Sequence, residues 1–138
     1  MNKFVAILPF HNHRNHLIDD VQPLVFKEVQ GWELIAHHAT LHHGDPSDFT
    51  RPLIAANHNC MMRIDAYGFI PDKVCAVRLS YCRVQGGPDL IEFNDRKLHL
   101  TMWVNRAGGG KPGDARLITD WVKLPCEILI QGTMEVCN

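Results

Sequence analysis

Two short stretches of the chain carry a histidine followed two residues later by a threonine: His38-Ala39-Thr40-Leu41 and His99-Leu100-Thr101-Met102. Nine histidines and five threonines in 138 residues would form about 0.3 such pairs by chance, so two copies are a signal. A neutral imidazole can take a proton from water while a protonated one gives a proton to a leaving oxygen. Threonine hydroxyls can donate hydrogen bonds to phosphate oxygens. Two such pairs facing each other across a cleft would therefore suit the opening of a phosphodiester without a metal ion.

Both copies lie in apolar surroundings that predict β-strands. Side chains of a strand alternate between its two faces at about 3.3 Å per residue, so each histidine should share a face with its threonine. The opposite faces predict core, with Leu98, Leu100, Met102 and Val104 on the second strand and Ile35, His37, Ala39 and Leu41 on the first. We therefore predict that the four motif side chains are catalytic, namely His38, Thr40, His99 and Thr101.

Four further residues are candidates for substrate contact, namely Lys111, Trp103, His37 and His42. Lys111 follows three glycines and could reach a phosphate or a base. Trp103 shares the predicted face of His99 and could stack on a base or pack the cleft wall. His37 competes with His38 for the catalytic role, but alanine stands two positions after it. His42 and His43 either line the mouth of the cleft or are simply polar residues at a strand end.

Two other patterns suggest sites that the sequence does not complete. His11, His13 and His16 offer three imidazoles, but no cysteine lies near them to complete a zinc site. We therefore predict a polar loop here, with no metal and no other cofactor. A metal-dependent hydrolase built on this loop is the alternative. Gly108-Gly109-Gly110-Lys111 is not a nucleotide phosphate loop, because Pro112 stands where serine or threonine is required.

The composition limits the classes of partner. A formal net charge of −1 and a pI near 6.7 lack the basic excess of proteins that follow a long nucleic acid. Five cysteines without a Cys-x-x-Cys pair predict reduced thiols in a cytoplasmic protein. The apolar run after Lys3 is too short for a signal peptide or a membrane span. We expect a single domain over residues 1–138 and a monomer.

Runs of apolar and turn residues predict about seven strands and few helices. The predicted strands are Phe4–Phe10, Trp32–Leu41, Cys60–Phe69, Lys73–Val84, Ile91–Phe93, Lys97–Val104 and Glu127–Val136. The predicted helices lie at Leu17–Val29, within Phe49–Asn59 and at Asp114–Trp121, and Ala107–Gly113 should be a flexible loop. Because strands come in runs and do not alternate with helices, the fold class should be α+β with antiparallel sheets.

The two motifs, about 60 residues apart in a small strand-rich domain, resemble those of the two-histidine phosphoesterase superfamily. The resemblance implies a bilobal fold of two antiparallel sheets around a central cleft and metal-independent catalysis. It also implies 2′,3′-cyclic phosphates at RNA ends, or cyclic nucleotides, as substrates.

The segment Gly109-Gly110-Lys111-Pro112 is similar to the branch that contains the cyclic phosphodiesterase domain of fungal tRNA ligases, whose members leave a 2′-phosphate. The function expected from this resemblance is a 2′,3′-cyclic phosphodiesterase in RNA processing or repair. The alternatives are a phosphodiesterase of cyclic oligonucleotide signals and a non-catalytic module that binds RNA or nucleotides.

Overall fold

The computed structural model describes residues 3–87, 89–90 and 98–138. Its strands are β1 Phe4–Pro9, β2 Glu33–Leu34, β3 Ala39–His43, β4 Asn59–Ile70, β5 Val74–Val84, β6 His99–Val104 and β7 Trp121–Cys137. Its helices are α1 His11–Val25, α2 Thr50–Ala56 and a 3₁₀ helix, Pro112–Leu117. The predicted α+β class with few helices is confirmed.

The seven strands form one antiparallel sheet that closes on itself. Its order is β2-β6-β3-β1-β7-β4-β5, and β5 also pairs with β6. Six strands therefore make a closed barrel, while the two-residue β2 pairs with the end of β6 next to β3. The arrangement of two sheets around a cleft, which the resemblance implies, is not confirmed.

The main core lies on the inner face of the barrel. The predicted apolar row of β6 contributes Leu98, Leu100 and Met102, and the helical stripe of α1 packs on the same core through Leu17, Ile18, Val21 and Val25. Each such side chain contributes about 1.5–3 kcal/mol when it is fully buried. Val104 was predicted in this row but belongs to a second, smaller cluster. That cluster lies beneath the 3₁₀ helix, which contributes Ala115.

Helix α1 begins six residues earlier than predicted, at His11, and ends at Val25 instead of Val29. The segment from His11 to His16 is therefore helix and not a polar loop. The sequence hides this start because Phe10 occupies the N-cap position, where serine, threonine, asparagine or aspartate would mark a helix. The polar side chains of these first turns form the solvent side of an amphipathic helix.

The remaining elements follow the prediction with shifted bounds. Strands β4 and β5 and helix α2 are confirmed, β7 begins at Trp121 instead of Glu127, and the third helix runs from Pro112 to Leu117. The predicted hairpin around Asn94-Asp95 lies outside the described residues, except for its second strand, which is β6. In the part of the chain that the structure describes, no helix combines the length and apolar character that crossing a membrane requires.

The glycine-rich loop before the 3₁₀ helix is packed against the turn between β4 and β5. The N–H of Gly110 donates to the carbonyl of Asn105 at 2.8 Å. A Cβ at Gly110 would lie 2.1 Å from the carbonyl oxygen of Lys73, so a side chain here requires the loop to move. The ammonium group of Lys73 donates to the carbonyl of Gly108. The loop predicted to be flexible is therefore fixed at several points.

Candidate active site on the outer face of the barrel

A bend between β2 and β3 determines the position of His38. The predicted strand Trp32–Leu41 is interrupted at residues 35–38, where Ala36 is fully buried and has a φ of 44°. Arg14 of α1 holds this bend, since its Nε donates to the carbonyl of Ala36 at 2.8 Å and its Nη2 to that of Ile35 at 3.1 Å. His38 therefore lies at the end of the bend, directly before β3.

Both motifs contain a β-bulge at their fourth residue. In β3, Thr40 pairs with Ala6 and His42 with Val5, so Leu41 is an extra residue. In β6, Thr101 pairs with Ala76 and Trp103 with Cys75, so Met102 is extra. A bulge shifts the alternation of the residues that follow it by one. Up to the bulge each motif keeps its predicted alternation, and beyond the bulge the two faces are exchanged.

The two motifs meet in one pocket of about 300 Å³ on the outer face of the barrel. Its lining includes all four predicted catalytic residues, His38, Thr40, His99 and Thr101. The other lining residues are Phe4 from β1, Ile35 from the bend, His43 from β3, and Pro112, Gly113 and Arg116 from the 3₁₀ helix. The pocket therefore joins two imidazole–hydroxyl pairs that are about 60 residues apart in the sequence and adds a third imidazole and a guanidinium group.

His38 is held in a neutral state by its surroundings. Its ring lies 4.9 Å, centroid to centroid, from that of Phe4, and its Nδ1 lies 2.8 Å from Nδ1 of His37. Loss of water by burial, and then the charges of His37 and His99, lower the pKa of His38 to about 4. A neutral imidazole accepts protons, so this environment suits a general base at physiological pH.

The second motif is held from the opposite side of the pocket. The hydroxyl of Thr101 donates to the carbonyl of Pro112 at 3.1 Å, which ties β6 to the 3₁₀ helix. Arg78 pairs with His99 across β5 and β6, and its guanidinium donates twice to Asp65, at 3.1 and 2.9 Å. Asp65 is buried, and it balances the positive charge of Arg78 beside His99.

Two of the four residues predicted to contact substrate, Trp103 and His42, do not line the pocket, because both lie beyond a bulge. Trp103 is only 3% exposed and lies in the main core, so it cannot stack on a base in the pocket. His42 also turns away from the pocket, and its Nε2 lies 3.2 Å from the hydroxyl of Thr50. Because the same bulge brings the next residue to the outer face, His43 lines the pocket instead.

The other two contact candidates lie beside the pocket. His37 was predicted both as a rival of His38 and as part of the apolar face, but it is exposed and bonded to His38. Lys111 is exposed and does not line the pocket, while its backbone N–H donates to Asp114 at 3.0 Å. Among the described residues, the cation that does line the pocket is Arg116, five residues later in the chain. The sequence did not predict Arg116 as a site residue, because its distance from the motifs in the chain follows no pattern. The 3₁₀ helix that carries it is brought to the pocket by packing on the barrel.

The histidines of α1 and the five cysteines lie outside the lining of the pocket. The three histidines of α1 have separate partners: His11 lies near Asn15, His13 accepts the N–H of Gln131, and His16 lies near Asp20. Among the described residues, no group of three or more His, Cys, Asp or Glu side chains is placed to hold a metal ion. All five cysteines are described and are free thiols. Burial raises the pKa of Cys60 to about 11 and that of Cys75 to about 12, which keeps both protonated.

Comparison with known proteins adds no relative. No family model matches the chain, and no curated protein or solved structure matches it either. What the protein does must therefore be inferred from its own residues and their geometry.

Proposed function

We propose that this protein is a metal-independent phosphodiesterase that opens 2′,3′-cyclic phosphates at RNA ends or on nucleotides. The observation that supports the proposal is the convergence of both motifs on one pocket. Two imidazoles and two hydroxyls, on separate strands, are the groups that a cyclic phosphate needs for attack, departure and charge stabilisation. The pocket, at about 300 Å³, is at the lower end of the range for small-molecule sites, which favours one nucleotide at the reacting position.

In the proposed reaction, Nε2 of neutral His38 takes a proton from a water molecule whose oxygen attacks phosphorus. The bond from phosphorus to the 3′-oxygen breaks as the new bond forms, and His99, in its protonated form, gives its proton to that oxygen. The product is a 2′-phosphate with a free 3′-hydroxyl. The low pKa of His38 is the reason for assigning it the role of base, since an imidazole that stays neutral above about pH 4 is not in the protonated form that a general acid requires.

The negative charge that develops on phosphate has three candidate partners in the pocket, namely Thr40, Thr101 and Arg116. The hydroxyls donate single hydrogen bonds, and the guanidinium can donate two in parallel. Thr101 must exchange its bond to the Pro112 carbonyl for one to phosphate. Substrate binding should therefore loosen the contact between β6 and the 3₁₀ helix.

The finer predictions belong to the same proposal. The bilobal arrangement would have to consist of two halves of one barrel, because the strands form a single closed sheet. A cytoplasmic location, a role in RNA processing or repair, a single domain and a monomeric state remain predictions. The near-neutral charge supports a compact site for an RNA end over a long groove.

The deciding experiment measures hydrolysis of a short RNA that ends in a 2′,3′-cyclic phosphate, with chelator present. We expect turnover by the wild type, and a loss of about 10²- to 10⁴-fold in each of His38→Ala and His99→Ala, as expected for a general acid or base. His58→Ala is the matched control, because His58 is exposed and lies outside the pocket. Identification of the product as a 2′-phosphate would support the leaving-group assignment.

Other outcomes select the alternatives. Turnover of cyclic dinucleotides or trinucleotides, but not of RNA ends, would indicate a phosphodiesterase of oligonucleotide signals. Binding without turnover, retained in His38→Ala, would indicate a non-catalytic module. Activity that chelator abolishes would contradict the metal-independent mechanism.

The phosphate contact has its own variant pair. Arg116→Ala removes the guanidinium that lines the pocket and should lower kcat/KM by roughly 10²-fold, the typical effect of losing one charge-stabilising donor. Lys111→Ala removes a nearby cation outside the lining and should leave kcat/KM within about twofold of the wild type. Equal losses in both variants would contradict a specific role for Arg116.

A further inference from the structure

His37 and His38 are adjacent in the chain, and their side chains contact each other through the Nδ1 atom of each ring. Their Nδ1 atoms are 2.8 Å apart, and the rings meet edge to face with centroids 5.1 Å apart. Adjacent side chains of a regular strand point to opposite faces, so this contact requires the bend that Ala36 begins. The bend therefore brings an exposed imidazole against Nδ1 of the proposed base.

A hydrogen bond between two Nδ1 atoms contains one proton. One ring must donate and the other must accept, so the tautomer of one histidine fixes that of the other. If His38 donates, its Nδ1 carries the hydrogen and its Nε2 has a free lone pair. If His37 donates, Nδ1 of His38 has the lone pair, and the hydrogen of neutral His38 moves to Nε2.

We propose that His37 is a positioning residue that sets the tautomer, and thereby the basicity at Nε2, of His38. While His37 is neutral, its Nδ1 accepts the Nδ1–H of His38, and Nε2 of His38 is free to take the proton from water. When His37 is protonated, both of its nitrogens are donors, so Nδ1 of His38 must accept and Nε2 already carries the hydrogen. This inference rests on the proposed function, since it assigns a control to the proposed base.

The rings of His37 and His38 differ in how far they are exposed to solvent. His37 is exposed, whereas the ring of His38 is half-buried against Phe4. His38 itself stays neutral down to about pH 4, so a change at Nε2 above that pH is a change of tautomer and not a protonation. Such a change must come from a neighbour that contacts the ring, and His37 contacts its Nδ1.

Among the described residues, the titratable and charged groups around His38 come from the bend and from four elements. They are His37 on the bend, His43 on β3, His99 on β6 and Arg116 on the 3₁₀ helix, with Arg14 of α1 behind the bend. Strand β1 contributes Phe4, which carries no charge. Positive charge on any of these groups opposes protonation of His38, but His37 also acts on the tautomer through its hydrogen bond.

Two substitutions separate the tautomer effect from a general structural role. His37→Ala removes the partner of Nδ1 and should lower kcat/KM by roughly 10²-fold through loss of orientation. His37→Asp places an ionised carboxylate there, which only accepts hydrogen bonds, so His38 should keep its hydrogen on Nδ1. We expect this variant to recover kcat/KM to within about tenfold of the wild type at neutral pH. In the pH profile of kcat/KM of this variant, the fall on the acid side should no longer depend on protonation of an imidazole at position 37.

The test is ¹⁵N NMR of the histidine rings between about pH 8 and pH 5, combined with the pH profile of kcat/KM. In the wild type, Nε2 of His38 should change from unprotonated to protonated while the ring stays neutral, and kcat/KM should fall over the same range. In His37→Asp, Nε2 should be unprotonated at about pH 8, and any proton that it gains at lower pH should make the ring positively charged, because the carboxylate keeps the hydrogen on Nδ1 and raises the pKa of His38. His58→Ala should behave as the wild type does.

A hydrogen on Nε2 of wild-type His38 already at about pH 8, or an unchanged tautomer in His37→Ala, would overturn the proposal. The ring nitrogens are observed without substrate. A wild type that does not hydrolyse cyclic phosphates would therefore refute the proposed function, while the NMR spectra would still decide the role of His37.

Discussion

The imidazole of His38 should make folding sensitive to acid. Its pKa is about 4 in the folded protein and 6.5 in an ordinary setting, so between these values the unfolded chain binds a proton that the folded chain does not. By linkage, the free energy of unfolding falls as the pH drops through about 6.5 towards about 4, and it is unaffected by this group at higher pH. For a half-buried ring, solvent screening reduces the effect to about 1 kcal/mol at pH 5.

His38→Gln removes the titrating group at similar size. We expect its free energy of unfolding in urea to fall less between about pH 7 and pH 5 than that of the wild type, by about 1 kcal/mol. His58→Gln serves as the control, because an exposed histidine should leave the wild-type dependence unchanged. The same loss in His38→Gln as in the wild type would mean that His38 is protonated in the folded protein.

The four motif residues could be predicted because residue type and spacing were repeated. A histidine and threonine two positions apart need only ordinary alternation to share a face, and each bulge comes after the threonine. Arg116 and Phe4 could not be predicted in the same way. Their places depend on how β1 and the 3₁₀ helix pack on the barrel, which no local spacing encodes.

At the scale of elements, the bend between β2 and β3 depends on Arg14. Its guanidinium serves two carbonyls, those of Ile35 and Ala36, and Ala36 is fully buried. Arg14→Ala should lower the free energy of unfolding by about 1–3 kcal/mol, because the buried carbonyl loses its donor. It should also lower kcat/KM at least tenfold, because His37 and His38 follow the bend.

Denaturant unfolding and cyclic-phosphate hydrolysis measure the two effects of Arg14→Ala. The control is Arg51→Ala, which removes an exposed arginine paired with Asp48 and should change stability by less than about 1 kcal/mol. If Arg14→Ala kept both stability and activity, the bend would have to be held by its own backbone.

The elements that were predicted well are those whose own residues define them. Strands β4 and β5 are long apolar runs joined by a turn at Pro71-Asp72, so their bounds follow from composition. The start of α1, the positive φ of Ala36 and the two bulges were missed. Phe10 is an unusual N-cap residue, and alanine seldom adopts a positive φ. The extra residues of the two bulges are Leu41 and Met102, whereas a glycine often marks a bulge in a sequence.

At the scale of the whole molecule, barrel closure could not be predicted from the sequence, because a closed sheet and two separate sheets need the same alternating strands. Register decides between them, and in this chain β5 pairs with both β4 and β6. The seam where residues 33–39 lie along β6 is interrupted at His37 and His38. By contrast, β4 and β5 pair from Cys60 with Val84 to Ile70 with Val74.

The interrupted seam should open before the rest of the barrel. The amides of Ile35 and Ala36 donate across it to Met102 and Thr101, at 2.7 and 3.0 Å. We expect them to exchange with deuterium at a lower opening free energy than the amides between β4 and β5, because fewer neighbouring pairs must separate. Native-state hydrogen exchange by NMR measures both sets. Equal protection would show that the barrel opens as a single unit.

The pocket lies across this same seam, so a ligand bound in it would contact both sides of the seam and hold them together. A phosphate held by Thr40 on one side and Thr101 on the other would join the two edges that the bend leaves apart. A ligand present at about 100 times its Kd stabilises a protein by about 2.7 kcal/mol, and here that gain would be concentrated where the barrel is weakest. The melting temperature of the protein would thus report on occupancy, and a panel of cyclic nucleotides could be ranked without any assay of turnover.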